Sequence, residues 1–189
     1  MKNNILKSAF VFVLALTVVS FTSISDKTVN VKDSQITWKG YKVTGQHEGT
    51  ISLKEGTLTF TDNKLTGGNF VMDMTSLTVT DLEGGMKGKL EGHLKSDDFF
   101  GVEKHPTASF KITKVEGKDG KYKVTGALTI KGNTNTNTFD MTVDKNSATA
   151  ALKIDRSKYD VRYGSTSFFE NLQDKAIYDE FDLNVNLKF

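Results

Sequence analysis

The chain has 189 residues, with 25 Lys plus Arg against 23 Asp plus Glu, and it contains no Cys. The length suits one domain with one core, and the missing Cys excludes disulfides, thiolate metal sites, thiol nucleophiles and a Cys-based lipoprotein anchor. A formal net charge of +2 is too small for a nucleic-acid footprint, which needs clustered cations, so no nucleic-acid partner is expected.

The first 25 residues predict a secretory signal peptide. Two lysines precede an apolar run over residues 9–19, and small residues follow as far as Ser25. This is the usual order of a cleaved leader, and the apolar run is too short for a membrane-spanning helix. We expect cleavage after Ser25, with a cut after Ser20 as the alternative, and a periplasmic or secreted protein without a stable membrane anchor. Residues 26–189 would then carry 23 basic and 23 acidic side chains.

Beyond residue 27, apolar and polar residues alternate, which predicts strands with one buried face. The alternation is longest over residues 121–131 and 181–189, and shorter copies fill most of the chain. About eight to ten short strands follow, joined by turn-prone pieces, and such short connections favour antiparallel neighbours. The Asn/Thr-rich run over residues 133–138 is interpreted as a solvated hairpin tip.

The first long strand changes its apolar face at Gly40. Ile36 and Trp38 share one parity, and Tyr41 and Val43 share the other. A slip of one residue at a glycine indicates a β-bulge or a barrel corner. The all-β pattern therefore favours an eight-stranded antiparallel barrel over a sandwich of two sheets.

One interval has helical spacing. Met86, Leu90 and Leu94 recur every fourth residue between charged residues, which predicts one amphipathic helix over about 83–97. A second, shorter helix is predicted within 167–175.

The polar residues do not predict catalysis. Sequence patterns for a nucleophile elbow, a phosphate loop, a dinucleotide site and a zinc-protease helix are all missing. His93 and Asp97 lie four residues apart, a spacing that can place two metal ligands on one helix face. Because no third ligand is close in sequence, a solvent-facing polar pair is the preferred interpretation. We expect no catalytic residue, no metal site and no enzyme activity.

Five segments taken in order resemble the YceI-like lipid/polyisoprenoid-binding family. The first is a W-x-G-x4-G-x-H-x-G pattern formed by Trp38, Gly40, Gly45, His47 and Gly49; the others are residues 68–77, residues 93–100 with 105–110, residues 126–132 and residues 155–161. Any one segment is weak evidence, but the ordered set covers residues 28–189. The last segment departs slightly from the family, with Lys158-Tyr159 where an acidic or small residue precedes an aromatic one.

The resemblance implies a lipocalin-like barrel with a helix closing one side and a long apolar interior that takes up an isoprenoid or other amphiphilic chain. Burial of a long chain gains about 0.8 kcal/mol per CH2, so such an interior binds without a catalytic group. The candidate ligand-binding residues are Trp38, Phe70, Met72, Phe110, Ile112, Val124, Leu128, Ile130 and Leu152 inside the barrel, with Phe168 and Phe169 near a mouth.

Two functions remain open at this point. The first is a carrier for a long-chain lipid or an isoprenoid quinone-like ligand, with no cofactor beyond that bound lipid. The second is a barrel-shaped stress-response or interaction protein with a filled core, because small barrels are often filled by their own side chains. A homodimer is compatible with either.

Overall fold

Nine antiparallel strands and one α-helix make up residues 22–189, the part of the chain that the computed structural model describes. The strands are β1 (Ile24–Thr28), β2 (Gln35–Lys42), β3 (Gly45–Thr61), β4 (Lys64–Val79), β5 (Thr107–Lys118), β6 (Lys121–Ile130), β7 (Asn133–Val143), β8 (Ser147–Asp155) and β9 (Ile177–Lys188), and the helix α1 is Gly84–Lys95.

Strands β2 to β9 close into an eight-stranded barrel. Their order is β3-β2-β9-β8-β7-β6-β5-β4, and β4 pairs back onto β3 to complete the circle. β1 is an additional strand that pairs with the far end of β3, from Ile24 opposite Thr61 to Thr28 opposite Thr57. The predicted fold class is therefore confirmed, with one strand more than the barrel itself needs.

Alternating burial gives the barrel its core. In β6, every second residue from Tyr122 to Ile130 is buried, including Gly126, and exposed or half-buried residues alternate with them. The register between β2 and β9 shifts between Gly40 and Lys42, so the bulge predicted at Gly40 is confirmed. Such bulges let a sheet bend sharply enough to close.

Helix α1 packs against β4 and is slightly shorter than predicted. Leu94 is the buried residue of the helix, whereas Met86 is 68% exposed, so only part of the predicted apolar stripe is buried against the barrel. Glu91 fastens the helix to the barrel, because its Oε1 accepts hydrogen bonds from Thr78 Oγ1 at 2.5 Å and from the Val79 N–H at 2.9 Å. These bonds, the Thr78 hydroxyl first, lower the pKa of Glu91 below its ordinary value.

The second predicted helix, over 167–175, is reduced to a 3-10 turn at Gln173–Lys175. Asn171 and Gln173 have φ angles of +61° and +49°, in the left-handed region that ends a right-handed helix. A 3-10 turn that the sequence did not predict, Arg156–Tyr159, follows β8 directly.

The Asn/Thr-rich run over 133–138 was wrongly assigned to a hairpin tip. It forms the first half of β7 and pairs with β6, with Thr129 and Thr134 hydroxyls 2.7 Å apart across the strands. The tip is the two-residue turn Lys131-Gly132, with φ angles of +49° and +76°, as a tight hairpin requires.

Most of the predicted signal peptide, residues 1–21, lies outside the described residues. Its last two positions, Ile24 and Ser25, are already paired with β3. Between residues 22 and 189, no helix is both long enough and apolar enough to cross a membrane.

Candidate ligand-binding cavity

The barrel has a hollow interior. Its cavity has a volume of about 400 Å³, within the range of small-molecule binding sites, and side chains from all eight barrel strands and α1 line it. The apolar lining residues are Ile36, Trp38, Ile51, Leu53, Phe70, Met72, Met74, Leu77, Leu90, Leu94, Phe99, Phe100, Ala108, Phe110, Leu128, Phe139, Met141, Ala150, Leu152, Ile177, Phe181, Leu183, Val185 and Leu187.

Six of the eleven candidate ligand-binding residues line this cavity: Trp38, Phe70, Met72, Phe110, Leu128 and Leu152. Ile112, Val124 and Ile130 are buried but lie elsewhere in the core. Phe168 and Phe169 are 40% and 49% exposed on the loop before β9 and lie outside the cavity lining.

One end of the barrel, near the β3–β4 and β5–β6 turns, is filled by its own side chains. Leu58, Leu65, Tyr122 and Val124 are all buried there, and Ile112 reaches the same layer, with its Cδ1 3.2 Å from a Cβ placed on Gly68. We call this cluster the filled end. The cavity occupies the remaining length of the barrel.

The opposite end forms the mouth, where the β2–β3 turn meets the loop between β8 and β9. The Val43 N–H donates to the Ala176 carbonyl at 3.2 Å, joining the two segments. Polar or partly polar side chains line this part of the cavity: Lys42, Gln46, His47, Tyr163 and Tyr178. The mouth therefore offers solvent access to an otherwise apolar cavity.

His47 and Asp81 connect the mouth to the segment before α1. His47 Nδ1 lies 2.9 Å from Asp81 Oδ2, and the Glu48 N–H donates to Asp81 Oδ1 at 3.1 Å. Burial raises the pKa of Asp81, but the hydrogen bonds from His47 and Glu48 together outweigh burial, so the pKa lies below its ordinary value. His47, the histidine of the W-x-G-x4-G-x-H-x-G pattern, is therefore held in place by Asp81 at the edge of the cavity.

Arg156 holds the β8–β9 loop across the mouth. It is 2% exposed and donates to the carbonyls of Val161, Ile177 and Tyr178 at 2.7, 2.9 and 3.1 Å. Its Nη2 lies 3.5 Å from Asp179 Oδ1, and burial lowers the pKa of the guanidinium. A planar fork of donors can satisfy several carbonyls at once, which explains an arginine at this position.

Trp38 lies on the cavity wall because Gly49 stands opposite it on β3. The two residues are direct cross-strand partners. A Cβ on Gly49 would come within 2.7 Å of the indole ring and 1.8 Å of the Thr78 carbonyl oxygen. Only glycine leaves room for the ring against the β3 backbone, which accounts for the last glycine of the W-x-G-x4-G-x-H-x-G pattern.

His93 and Asp97 do not come together on one helix face, because α1 ends at Lys95. The His93 ring lies on the cavity side, with its centroid 4.4 Å from that of Tyr163 and 5.7 Å from that of Phe99. Asp97 is exposed and paired with Lys104, whose hydrogen bond lowers the pKa of Asp97. Residues 22–189 contain no group of three or more His, Asp or Glu side chains arranged to hold a metal.

The family model of the YceI-like domain matches residues 27–189, which is the whole barrel. The chain belongs to the YceI-like domain family. BcnA of Burkholderia cenocepacia has a similar structure to this YceI-like chain, at 25% identity and a TM-score of 0.66, over 84% of this chain and 98% of BcnA.

Two further solved structures share the YceI-like fold. A polyisoprenoid binding domain from Saccharophagus degradans, described as implicated in plant cell wall breakdown, aligns at 13% identity and a TM-score of 0.58, over 87% of this chain and 97% of that domain. The YceI protein of Campylobacter jejuni aligns at 19% identity and a TM-score of 0.54, over 100% and 98% of the two chains.

A UPF0312 protein of Photorhabdus laumondii is 50% identical over 40 residues. The match spans 21% of this chain and 21% of that protein. It supports the family assignment over one segment of the YceI-like domain.

Proposed function

We propose that this protein is a carrier or storage barrel that sequesters an isoprenoid or similar long-chain lipid in its interior, without chemistry. The observation that carries the proposal is the apolar cavity of about 400 Å³. At about 0.8 kcal/mol per buried CH2, a chain of ten carbons placed there gains enough to bind without any ionic contact.

Membership of the YceI-like family supports this ligand class, as does the fold shared with a polyisoprenoid binding domain. The alternative, a barrel acting only through its surface, requires an interior filled by side chains. The cavity of about 400 Å³ leaves part of the interior unfilled, which favours the carrier. A third candidate function is catalysis by His93 and Asp97 on a bound lipid, and the separation of these two side chains argues against it.

We further propose that the protein works in the periplasm after export, as the leader-like residues 1–25 suggest. Sequencing the N-terminus of the protein recovered from the periplasmic fraction tests this. A cut after Ser20 keeps all of β1, whereas a cut after Ser25 removes its first two residues. An intact leader on protein in the cytoplasmic fraction would overturn the proposed location.

Native mass spectrometry of protein purified from its own host tests the carrier function. We expect a lipid adduct on the wild-type chain, and its loss in Ala108→Phe, which puts a ring into the cavity opposite Met72. Ser109→Phe is the matched control, because it adds the same ring at the next, outward position of β5 and should keep the adduct. A delipidated wild-type protein that takes up no isoprenoid chain of any length would refute the proposal.

A further inference from the structure

We propose that the cavity contains a polar subsite, formed by Trp38 Nε1 and His93 Nε2, that binds a neutral hydrogen-bond acceptor such as a carbonyl oxygen on the long-chain ligand. The inference rests on the proposed carrier function and specifies the chemistry of its ligand.

Trp38 supplies the first part of the subsite. The residue is 9% exposed, and its Nε1 is buried without a hydrogen-bond partner among residues 22–189. An indole N–H only donates, and leaving such a group buried and unpaired costs free energy that native proteins nearly always avoid. Because Trp38 lines the cavity, a ligand oxygen is the partner that relieves this cost.

His93 supplies the second part. Its Nε2 is also buried without a partner in the described chain, and the ring lines the cavity. The neighbouring Tyr163 is 49% exposed, which places His93 towards the mouth. In the tautomer that carries its proton on Nε2, the ring can donate a second hydrogen bond to the same ligand oxygen.

The cations of the site favour a neutral acceptor over a phosphate. Arg156 is the one buried cation within residues 22–189, and its donors are directed to three backbone carbonyls and Asp179. Lys42 also lines the cavity, but it is exposed at the mouth. A diphosphate drawn down to Trp38 would lose its hydration without meeting a free cation, which is costly.

Three probes that share the farnesyl tail distinguish a neutral acceptor from a phosphate and from no polar group. They are farnesene, farnesylacetone and farnesyl diphosphate. The affinity of each probe is measured by its displacement of the apolar dye N-phenyl-1-naphthylamine from delipidated protein. We expect farnesylacetone to bind more tightly than farnesene. Trp38→Phe and His93→Leu should each weaken farnesylacetone about fivefold more than they weaken farnesene, which is the effect of one lost hydrogen bond. Phe70→Leu, which changes only an apolar wall, should weaken both probes equally.

A second measurement avoids dependence on variants that fold poorly. Trp38 is the only tryptophan, so its indole N–H gives a single NMR resonance. Farnesylacetone should move this resonance downfield and slow its exchange with water, whereas farnesene should not produce the downfield shift.

The outcomes distinguish the two proposals. Equal affinity for the ketone and the hydrocarbon, or tightest binding of the diphosphate with no response to Trp38→Phe, would overturn the subsite while leaving the carrier function intact. Failure of the wild-type protein to bind any of the three probes would overturn both.

Discussion

Replacing Gly49 by Ala tests whether the barrel wall really requires glycine behind Trp38. The new Cβ would lie 1.8 Å from the Thr78 carbonyl oxygen, an atom of the backbone, and 2.7 Å from the indole ring. Ordinary contacts of this kind need roughly 3.5 Å, so the β3–β4 seam or the ring has to move. Flexible side-chain ends cannot absorb the clash, because the nearest atom belongs to a paired strand.

The expected cost lies at the upper end of the range for overpacked cores, at least about 3 kcal/mol. For a domain of this size each kcal/mol lowers Tm by roughly 2–4 °C, so the fall should be about 6–12 °C. Thermal unfolding followed by circular dichroism measures it. Displacement of the ring should also shift the emission of the single tryptophan to longer wavelength.

Gly67→Ala is the matched control, because it lies on β4 in the same strand pair. A Cβ there has its nearest neighbour, Thr59 Cβ, at 3.6 Å, which is an ordinary contact. We expect a change within about 0.5 kcal/mol. If Gly49→Ala also changes the free energy of unfolding by less than this amount, β3 can shift away from the ring without cost. The steric explanation for the last glycine of the W-x-G-x4-G-x-H-x-G pattern would then be wrong.

Three further predictions concern the mouth, the helix and the cavity. Arg156→Leu should lower the free energy of unfolding, measured with urea, by about 3–5 kcal/mol, because Asp179 is left buried without its cation. A decrease below about 1 kcal/mol would contradict the structural role given to the buried Arg156. Glu91→Ala should lower Tm at neutral pH, because the pKa of Glu91 is depressed below 4.5. This stabilisation is present above pH 4.5 and is lost as the pH falls through the depressed pKa, so the wild-type and variant Tm values should converge in acid; a constant difference would refute it. Lipid loading should shift Trp38 emission to shorter wavelength and shield it from acrylamide, and unchanged quenching at saturation would place the ligand elsewhere.

The barrel was predictable from the sequence because half-buried antiparallel strands carry a two-residue period along their whole length. The pattern at residues 181–189 and the parity switch at Gly40 both correspond to structure, as β9 and as the β2–β9 register shift. β7 was missed at its start because its threonines and asparagines look like loop residues, although Asn133, Asn135 and Asn137 bond to the 3-10 turn after β8. Their pairing with β6 depends on cross-strand neighbours that a single strand does not reveal.

An irregular step in β4, where its register with β3 shifts, was also not predictable from alternation. Met74 and Leu77 are both buried although they lie three positions apart, an odd spacing that a regular strand would place on opposite faces. Asp73 bridges the irregular step by accepting from the N–H and the hydroxyl of Thr75, at 2.9 and 2.6 Å. These hydrogen bonds lower the pKa of Asp73, the Thr75 hydroxyl contributing most. Local side-chain hydrogen bonds of this type redirect a strand without changing its hydrophobic composition.

The division of the candidate residues into cavity wall and solid core has a geometric reason. Phe110 and Ile112 occupy the same face of β5, and Leu128 and Val124 occupy the same face of β6. Alternation identifies the inward face but not the height along the barrel axis at which the interior becomes hollow. That height depends on side chains from distant strands, such as Leu65 and Tyr122, whose backbone N–H and hydroxyl are brought together at 3.4 Å only by closure.

In the proposed carrier, the filled end would also determine how a bound lipid is exchanged. A lipid chain that enters at the mouth would reach the buried side chains of the filled end, so it would leave through the same opening. Loading and unloading would therefore compete for that opening. In the proposed carrier, a lipid donor and a lipid acceptor would therefore approach the same face of the protein in turn. A cargo longer than the cavity would protrude at the mouth, where its outer end stays within reach of whatever removes it.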